Sequence, residues 1–395
     1  MIKELPESLI NNSTTNLVEY TQNLQIGNNP HLKPHKIPVG VLPTGKAPIG
    51  GVRWVDVNKG DRKAPLYRSR LVAKEFKRYK DDDLFAATPL IESFRVVISS
   101  ATTGEREKAI MVNDVSRAYM YADCEEEIYV ELCDEDQESD EGKTMCGKLV
   151  KAMYGTRPAA KMWQKEGAKT ITDAGFSPSK TSPCIFHHNR RDFMTFLHGD
   201  DFVSCGSPED LKWLEGVLKA KYSIKTATIG GDERLAKEVR ILNRIVRWHP
   251  GKGVTIEADP RHVEMLIKDT GTEEARPLSS TGAKSEANDN DEDIDESEGE
   301  LLEPSRATAY RSNVARMNYL NTDRPDIAFA VKELARKMNK PSAEDEQRVK
   351  RLARYLKGNP RAVMWYRYQD MPDYIQGFTD SDWAGRNHAP IDIGR

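Results

Sequence analysis

The stretch Phe193-Met-Thr-Phe-Leu-His198-Gly199-Asp200-Asp201-Phe202-Val-Ser-Cys205 sets two adjacent carboxylates between two apolar runs. Short runs of this kind around a Gly-containing turn predict a β-hairpin with the acids at its tip. Neighbouring like charges repel, so an Asp-Asp pair between strands that would otherwise be buried calls for a cation. Upstream, residues 109–115 (Ala-Ile-Met-Val-Asn-Asp114-Val) read as an apolar strand that could lie beside the hairpin in one sheet, adding a third carboxylate. Three carboxylates at one sheet edge suit two Mg²⁺ ions about 3.5–4 Å apart, because hard cations take oxygen ligands and a pair can stabilise attacking and leaving oxygens together. That chemistry implies phosphoryl or nucleotidyl transfer. Taken alone, the Asp pair also reads as a solvated turn.

Further out, runs at 51–57 and 67–73 flank a turn with Gly60 and predict a second hairpin, bordered by Arg53, Lys59, Arg62, Lys63, Arg68, Arg70, Lys74, Lys77 and Arg78. Helices are expected over 93–101, 148–174, 211–220 and 260–268, and strands over 127–132 and 239–247. Past a Ser- and Asn-rich acidic tract at 279–303, read as a disordered linker, a helix opens at Pro325-Asp326 and closes before Pro341. A second helix turns Val349, Leu352, Ala353 and Leu356 inward and Arg348, Lys350, Arg351, Arg354 and Lys357 outward. No internal repeat is visible.

The chain has 395 residues, 38% hydrophobic and 31% charged, which excludes collagenous, low-complexity and disulfide-scaffold classes. No apolar run approaches the ~18–20 residues needed to span a bilayer, and the N-terminus lacks a basic region followed by an apolar one, so no membrane association is expected. Cys124, Cys133, Cys146, Cys184 and Cys205 form no CxxC pair, which points to a reducing, intracellular compartment. Cys184, His187, His188, His198 and Cys205 match no standard zinc spacing, and Cys184 and Cys205 read as small buried hydrophobes. Trp163, Trp213, Trp248, Trp365 and Trp383 are spread too widely for a stacking platform, so core packing is expected of them. The net charge of −3 hides an asymmetry: residues 122–142 carry 11 acids and residues 285–303 carry 10, with no Lys or Arg in either. The remainder has 59 bases against 41 acids, an excess of +18 suited to a polyanion.

In order along the chain stand Arg70-Leu-Val-Ala-Lys-Glu-Phe76, Asn113-Asp114-Val-Ser-Arg-Ala-Tyr119, Met153-Tyr-Gly-Thr156 with Trp163 beyond, and His198-Gly-Asp-Asp-Phe202. They continue as Tyr310-Arg-Ser312, Thr322-Asp-Arg-Pro-Asp-Ile-Ala-Phe-Ala330, Leu352-Ala-Arg-Tyr-Leu-Lys-Gly358 and Thr379-Asp-Ser-Asp-Trp-Ala-Gly385. This series, from about Gly50 to Gly385, resembles the reverse transcriptase of copia-type LTR retrotransposon Pol polyproteins. The resemblance implies an α+β right-hand polymerase of fingers, palm and thumb, with an antiparallel palm sheet backed by helices. It implies a lead-in over 1–45, fingers, palm and thumb over 46–278, the linker over 279–303, a helical connection segment over 304–372 and a truncated RNase H-like start over 373–395. By it, Asp114, Asp200 and Asp201 are the catalytic, metal-holding carboxylates for two Mg²⁺ ions, with Mn²⁺ an alternative. Tyr119 matches an aromatic steric gate that selects deoxynucleotides, and Arg70 and Lys74 match residues that hold the incoming triphosphate. The segment 235–248 resembles the primer-gripping hairpin and 260–271 the thumb helix. The implied partners are an RNA or DNA template with its primer, dNTPs and the remainder of a Pol polyprotein.

Several positions depart from the family's pattern. His198 replaces a usual Tyr, Gly199 a usual Val or Met, Pro158 a usual Gln and Glu75 a usual Gly. Asp380 resembles the first metal-binding Asp of an RNase H, but the other three carboxylates have no position before Arg395, so no RNase H activity is expected. The expected function is RNA-directed DNA polymerase; the alternatives are an inactive retroelement relic that at most binds nucleic acid, and a two-metal nuclease on the same acids.

Overall fold

The computed structural model describes residues 36–38, 48, 50–58, 65–76, 84, 86–87, 90–104, 108–132, 145–282, 300–374, 376–377 and 379. In chain order the elements are β1 (Lys36–Pro38), β2 (Val52–Asn58), β3 (Tyr67–Ala73), α1 (Ile91–Ser100), β4 (Ala109–Val115), β5 (Tyr129–Glu131), β6 (Met145–Lys148), α2 (Ala159–Asp173), β7 (Phe176–Pro178), β8 (Ile185–His188), β9 (Met194–His198) and β10 (Asp201–Gly206). They continue as α3 (Pro208–Lys221), β11 (Ile224–Gly230), β12 (Glu238–Ile241), β13 (Arg244–His249), β14 (Gly253–Ala258), α4 (Arg261–Asp269), α5 (Pro304–Asn321), α6 (Ala328–Arg336), α7 (Ala343–Gly358) and β15 (Met364–Arg367). Short 3₁₀ turns lie at Ala118–Tyr121 and Pro325–Ile327. Mixed helices and antiparallel sheets make the chain α+β, as expected.

A six-stranded sheet of order β11-β4-β10-β9-β8-β7 forms the centre. β4 is buried along almost its whole length, which is why it reads as a continuous apolar run rather than an alternating one. Its odd-numbered residues Ala109, Met111 and Val115 pack with Met162 and Trp163 of α2 and Leu211, Leu214 and Leu218 of α3. Ile110 and Val112, on the opposite face, pack with Phe94, Val97 and Ile98 of α1 and with Val246, Val254 and Ile256. Those last three belong to a four-stranded sheet of order β12-β13-β14-β15 laid over that face.

Two smaller units flank this centre. The hairpin β2–β3 and the sheet β1-β6-β5 share a cluster of Leu71, Ala73, Ile128, Val130, Leu132, Leu149 and Met153. Helices α4 to α7 share another, around Leu266, Tyr310, Val314, Leu334 and Leu352. β15 nevertheless pairs with β14, so residues after the acidic tract complete a sheet begun before it.

Three element expectations are corrected. The helix over 148–174 begins only at Ala159: Lys148 ends a strand, and Gly155 has φ +87°, which helical geometry excludes. The strand over 239–247 is a hairpin, because Leu242 and Asn243 both take positive φ (50° and 58°) and reverse the chain. The basic helix near 348 starts five residues earlier, at Ala343. Ser342 accepts from the Asp345 N–H while the Asp345 carboxylate accepts from the Ser342 N–H, a capping box that secures a first turn with no apolar periodicity of its own. Trp163 and Trp248 are buried as expected, whereas Trp365 is 42% exposed on β15, its ring tilted at 34° to that of His249, 4.8 Å away. Of the expected linker over 279–303, residues 283–299 lie outside the described residues, as do Cys133, Asp380, Asp382 and Trp383.

Candidate active site

The hairpin β9–β10 closes in two residues, with His198 paired to Asp201 across the ladder. Gly199 has φ +59° and Asp200 does not share that sign, the pattern of a type II′ turn, whose first central position takes Gly. A Cβ on Gly199 would meet nothing within 4 Å, so backbone conformation, not crowding, explains the glycine where the resembled family has Val or Met. Trp163 Nε1 donates to the Gly199 carbonyl at 2.6 Å, and Val115 N–H donates to the Asp200 carbonyl at 2.9 Å. Trp163, expected only as core, thus also ties α2 to the tip.

Register does the rest. Asp201 stands directly opposite Asp114, and Asp114 stands opposite Lys225 of β11. Directly opposed residues of an antiparallel ladder share a face, so Lys225, Asp114, Asp201 and His198 form one row across four strands. Along each strand the row ends an apolar series, Ile110-Val112-Asp114 and Cys205-Val203-Asp201, so the carboxylates lie where the core beneath that face gives out. Lys225 escaped sequence reasoning because β11, Ile-Lys-Thr-Ala-Thr-Ile-Gly, has too little apolar alternation to announce a strand.

Burial, then Asp200 and then Asp114, pushes the Asp201 carboxyl up from its ordinary range to about 7. Asp200 and Asp114, which raise the cost of ionising Asp201, form with it a set of oxygen donors of the kind hard divalent cations take. As placed, no group of three or more His, Cys, Asp and Glu among the described residues is already gathered around a metal position. Burial lowers the His198 pKa, Arg244 adds to that and Asp200 opposes it; His198 Nδ1 is buried without a hydrogen-bond partner. Beside the tip lies a cavity of about 200 Å³ lined by Ala86, Ala87, Tyr119, Trp163, Gln164 and His198, among others.

Tyr119 follows β4 on the 3₁₀ turn, and burial and then Asp200 raise its pKa against the opposing charge of Arg70. Arg70 projects from β3 over the Tyr154 ring at 5.2 Å, and Tyr154 in turn lies 4.7 Å from the Tyr119 ring. The structure therefore connects Arg70 to the aspartate region through two aromatic rings, while Lys74 is exposed just beyond the end of β3. Glu75 accepts from the Arg157 N–H at 2.7 Å, fixing the turn that leads into Pro158 and α2. That bond gives the departure at Glu75 a structural use.

Residues 37–230 match the family described as reverse transcriptase (RNA-dependent DNA polymerase). Two curated relatives extend the likeness beyond that segment. The retrovirus-related Pol polyprotein from transposon TNT 1-94 of Nicotiana tabacum is 27% identical over 357 residues, covering 87% of this chain and 26% of the polyprotein. The Pol polyprotein from transposon RE1 of Arabidopsis thaliana is 27% identical over 371 residues, covering 92% of this chain and 23% of the polyprotein. The chain thus spans about a quarter of the length of these relatives. Among solved structures, the foamy viral protease-reverse transcriptase in complex with RNA/DNA hybrid is similar at 13% identity and TM-score 0.34, covering 78% of this chain and 33% of that one. No helix among the described residues is long and apolar enough to cross a membrane.

Proposed function

We propose that this chain is an RNA-directed DNA polymerase of a copia-type retroelement, adding dNTPs to a primer 3′-hydroxyl paired to an RNA or DNA template. The observation that carries the reading is the direct opposition of Asp114 and Asp201 with Asp200 at the adjoining tip, within a segment that matches the reverse transcriptase family. Asp114, Asp200 and Asp201 would hold two Mg²⁺ ions, or Mn²⁺. Bound there, such ions supply the acidity that lowers the pKa of a primer hydroxyl and offset charge on departing pyrophosphate.

The chain's own groups have separate tasks. Arg70 and Lys74 meet the triphosphate, Arg70 with a planar fork that matches phosphate oxygens and Lys74 as an exposed point charge. Tyr119, which lines the cavity beside the tip, sets its ring against the sugar and disfavours a 2′-hydroxyl. Trp163 and the Val115 N–H hold the hairpin tip, so the two adjacent aspartates keep their positions as substrate exchanges.

The test is extension of a labelled DNA primer on an RNA template with dNTPs and Mg²⁺, comparing the wild-type chain with Asp200→Asn/Asp201→Asn. Extension by the wild type and a loss of at least about 10³-fold in the variant are expected if the acids supply the metal-dependent term, worth about 4 kcal/mol. No extension by a folded wild type would favour the inactive relic, and shortening of the primer a nuclease.

A further inference from the structure

We infer that Tyr154 is a positioning residue for nucleotide sugar selection, connecting the triphosphate-binding strand to the gate. The inference rests on the reading of Tyr119 as that gate. Tyr154 is half-buried, and two partners bear on its ring: the Tyr119 ring at 4.7 Å and 34°, and the Arg70 guanidinium at 5.2 Å.

Its backbone is as constrained as its ring. The Tyr154 carbonyl accepts from the Ala73 N–H of β3 at 2.8 Å. Gly155 follows at φ +87°, and a Cβ there would come 2.1 Å from the Ala73 carbonyl oxygen. Only a glycine lets the turn sit this close to β3, the strand that carries Arg70. Tyr154 is therefore fastened to β3 while its ring is packed on Tyr119. Arg70 and Asp200 both act electrostatically on both tyrosines, so the four side chains form one cluster.

A steric gate discriminates only if its ring resists displacement when a 2′-hydroxyl presses on it. On its exposed side Tyr119 meets the nucleotide; the Tyr154 ring is its aromatic support. Offset or tilted aromatic pairs favour particular geometries over others, so removing the supporting ring frees the gate to tilt. The position of Arg70 makes that support responsive: when its guanidinium turns to a triphosphate, its attraction to the Tyr154 ring weakens, and ring and gate settle together on the sugar.

The experiment measures kcat/KM for dTTP and for UTP at a single template position, in wild type, Tyr154→Ala, Tyr154→Leu, Tyr154→Phe and Tyr119→Ala. Tyr154→Ala and Tyr154→Leu are expected to lower the dTTP/UTP ratio about tenfold, equivalent to about 1.4 kcal/mol, chiefly by raising UTP efficiency. Tyr154→Phe keeps the ring and should keep the ratio, which a role for the hydroxyl would not produce, while Tyr154→Leu keeps an apolar side chain without the ring and so tells aromatic support from general packing. Tyr154→Leu approximates the buried volume and retains the test if the alanine variant unfolds. A ratio unchanged in both Tyr154→Ala and Tyr154→Leu, with Tyr119→Ala losing discrimination, overturns the role of Tyr154 and leaves the gate intact. A ratio unchanged in Tyr119→Ala, or a wild type that neither extends nor prefers dTTP, overturns the gate reading and this inference with it.

Discussion

Asp201 carries an energetic liability that a bound cation would relieve. Its carboxyl titrates near 7 in the fold against about 4 in an unfolded chain, so over that window the folded state holds the proton more tightly. Without divalent ions the stability it contributes is therefore full below about pH 4 and is lost as the pH rises through 7. Allowing for partial solvent screening, the loss is on the order of 2 kcal/mol. Thermal melts in EDTA should show wild-type stability falling from pH 5 to 8 and Asp201→Asn holding up better; a parallel fall in both would place the slope elsewhere. Mg²⁺ should raise the wild-type midpoint at pH 8 and leave Asp201→Asn nearly unmoved. At this scale the aspartates were legible because two adjacent acids between apolar runs contradict the local pattern. Tyr154 and Lys225 were not: one depends on a turn meeting β3, the other on a register that no local spacing encodes.

Among the elements, the hairpin β12–β13 is held at its turn by a buried ion pair. Arg244, 4% exposed, meets Asp323, 6% exposed, at 2.9 Å, and also donates to Thr322 Oγ1 and to the Leu242 carbonyl. Arg95 of α1 reaches the Thr322 carbonyl, and Arg324 pairs with Asp326, which also accepts from Tyr355 of α7. The string Thr322-Asp-Arg-Pro-Asp326 thus joins the central sheet's covering helix, the hairpin turn and the helical cluster. Asp323→Ala strands Arg244 in a dry site and should cost about 3–5 kcal/mol, whereas Arg244→Met/Asp323→Leu should recover most of it. Urea unfolding of the singles and the double variant reads this directly, and singles costing under about 1 kcal/mol would show that the pair does not hold the turn. The sequence marked this string without revealing its use. It also hid the hairpin, because Leu242 and Asn243 reverse the chain without Gly or Pro.

Across the whole molecule, the excess of base is not evenly available to a polyanion. The outward cations of α7, part of that excess, are engaged within the protein. Arg348 pairs with Glu344 and Lys350 with Glu346, while Arg351, Arg354 and Lys357 donate to backbone carbonyls of residues 273–282. These bonds satisfy a segment with almost no ladder of its own, so the basic face of α7 serves to hold chain in place. Arg53, Arg68, Arg70 and Lys74, on and beside the β2–β3 hairpin, are the better candidates for phosphates. Affinity for an RNA–DNA hybrid should fall about 10³-fold or more between about 50 and 200 mM salt if six or more phosphates are neutralised. Replacing Arg68 or Lys74 with Ala should lower the slope of log K against log salt by about 1 each. Replacing Arg351 or Arg354 should leave that slope unchanged and lower the melting temperature instead. Equal effects on the slope from both groups would place α7 on the nucleic-acid surface and undo the division between cations that bind and cations that brace.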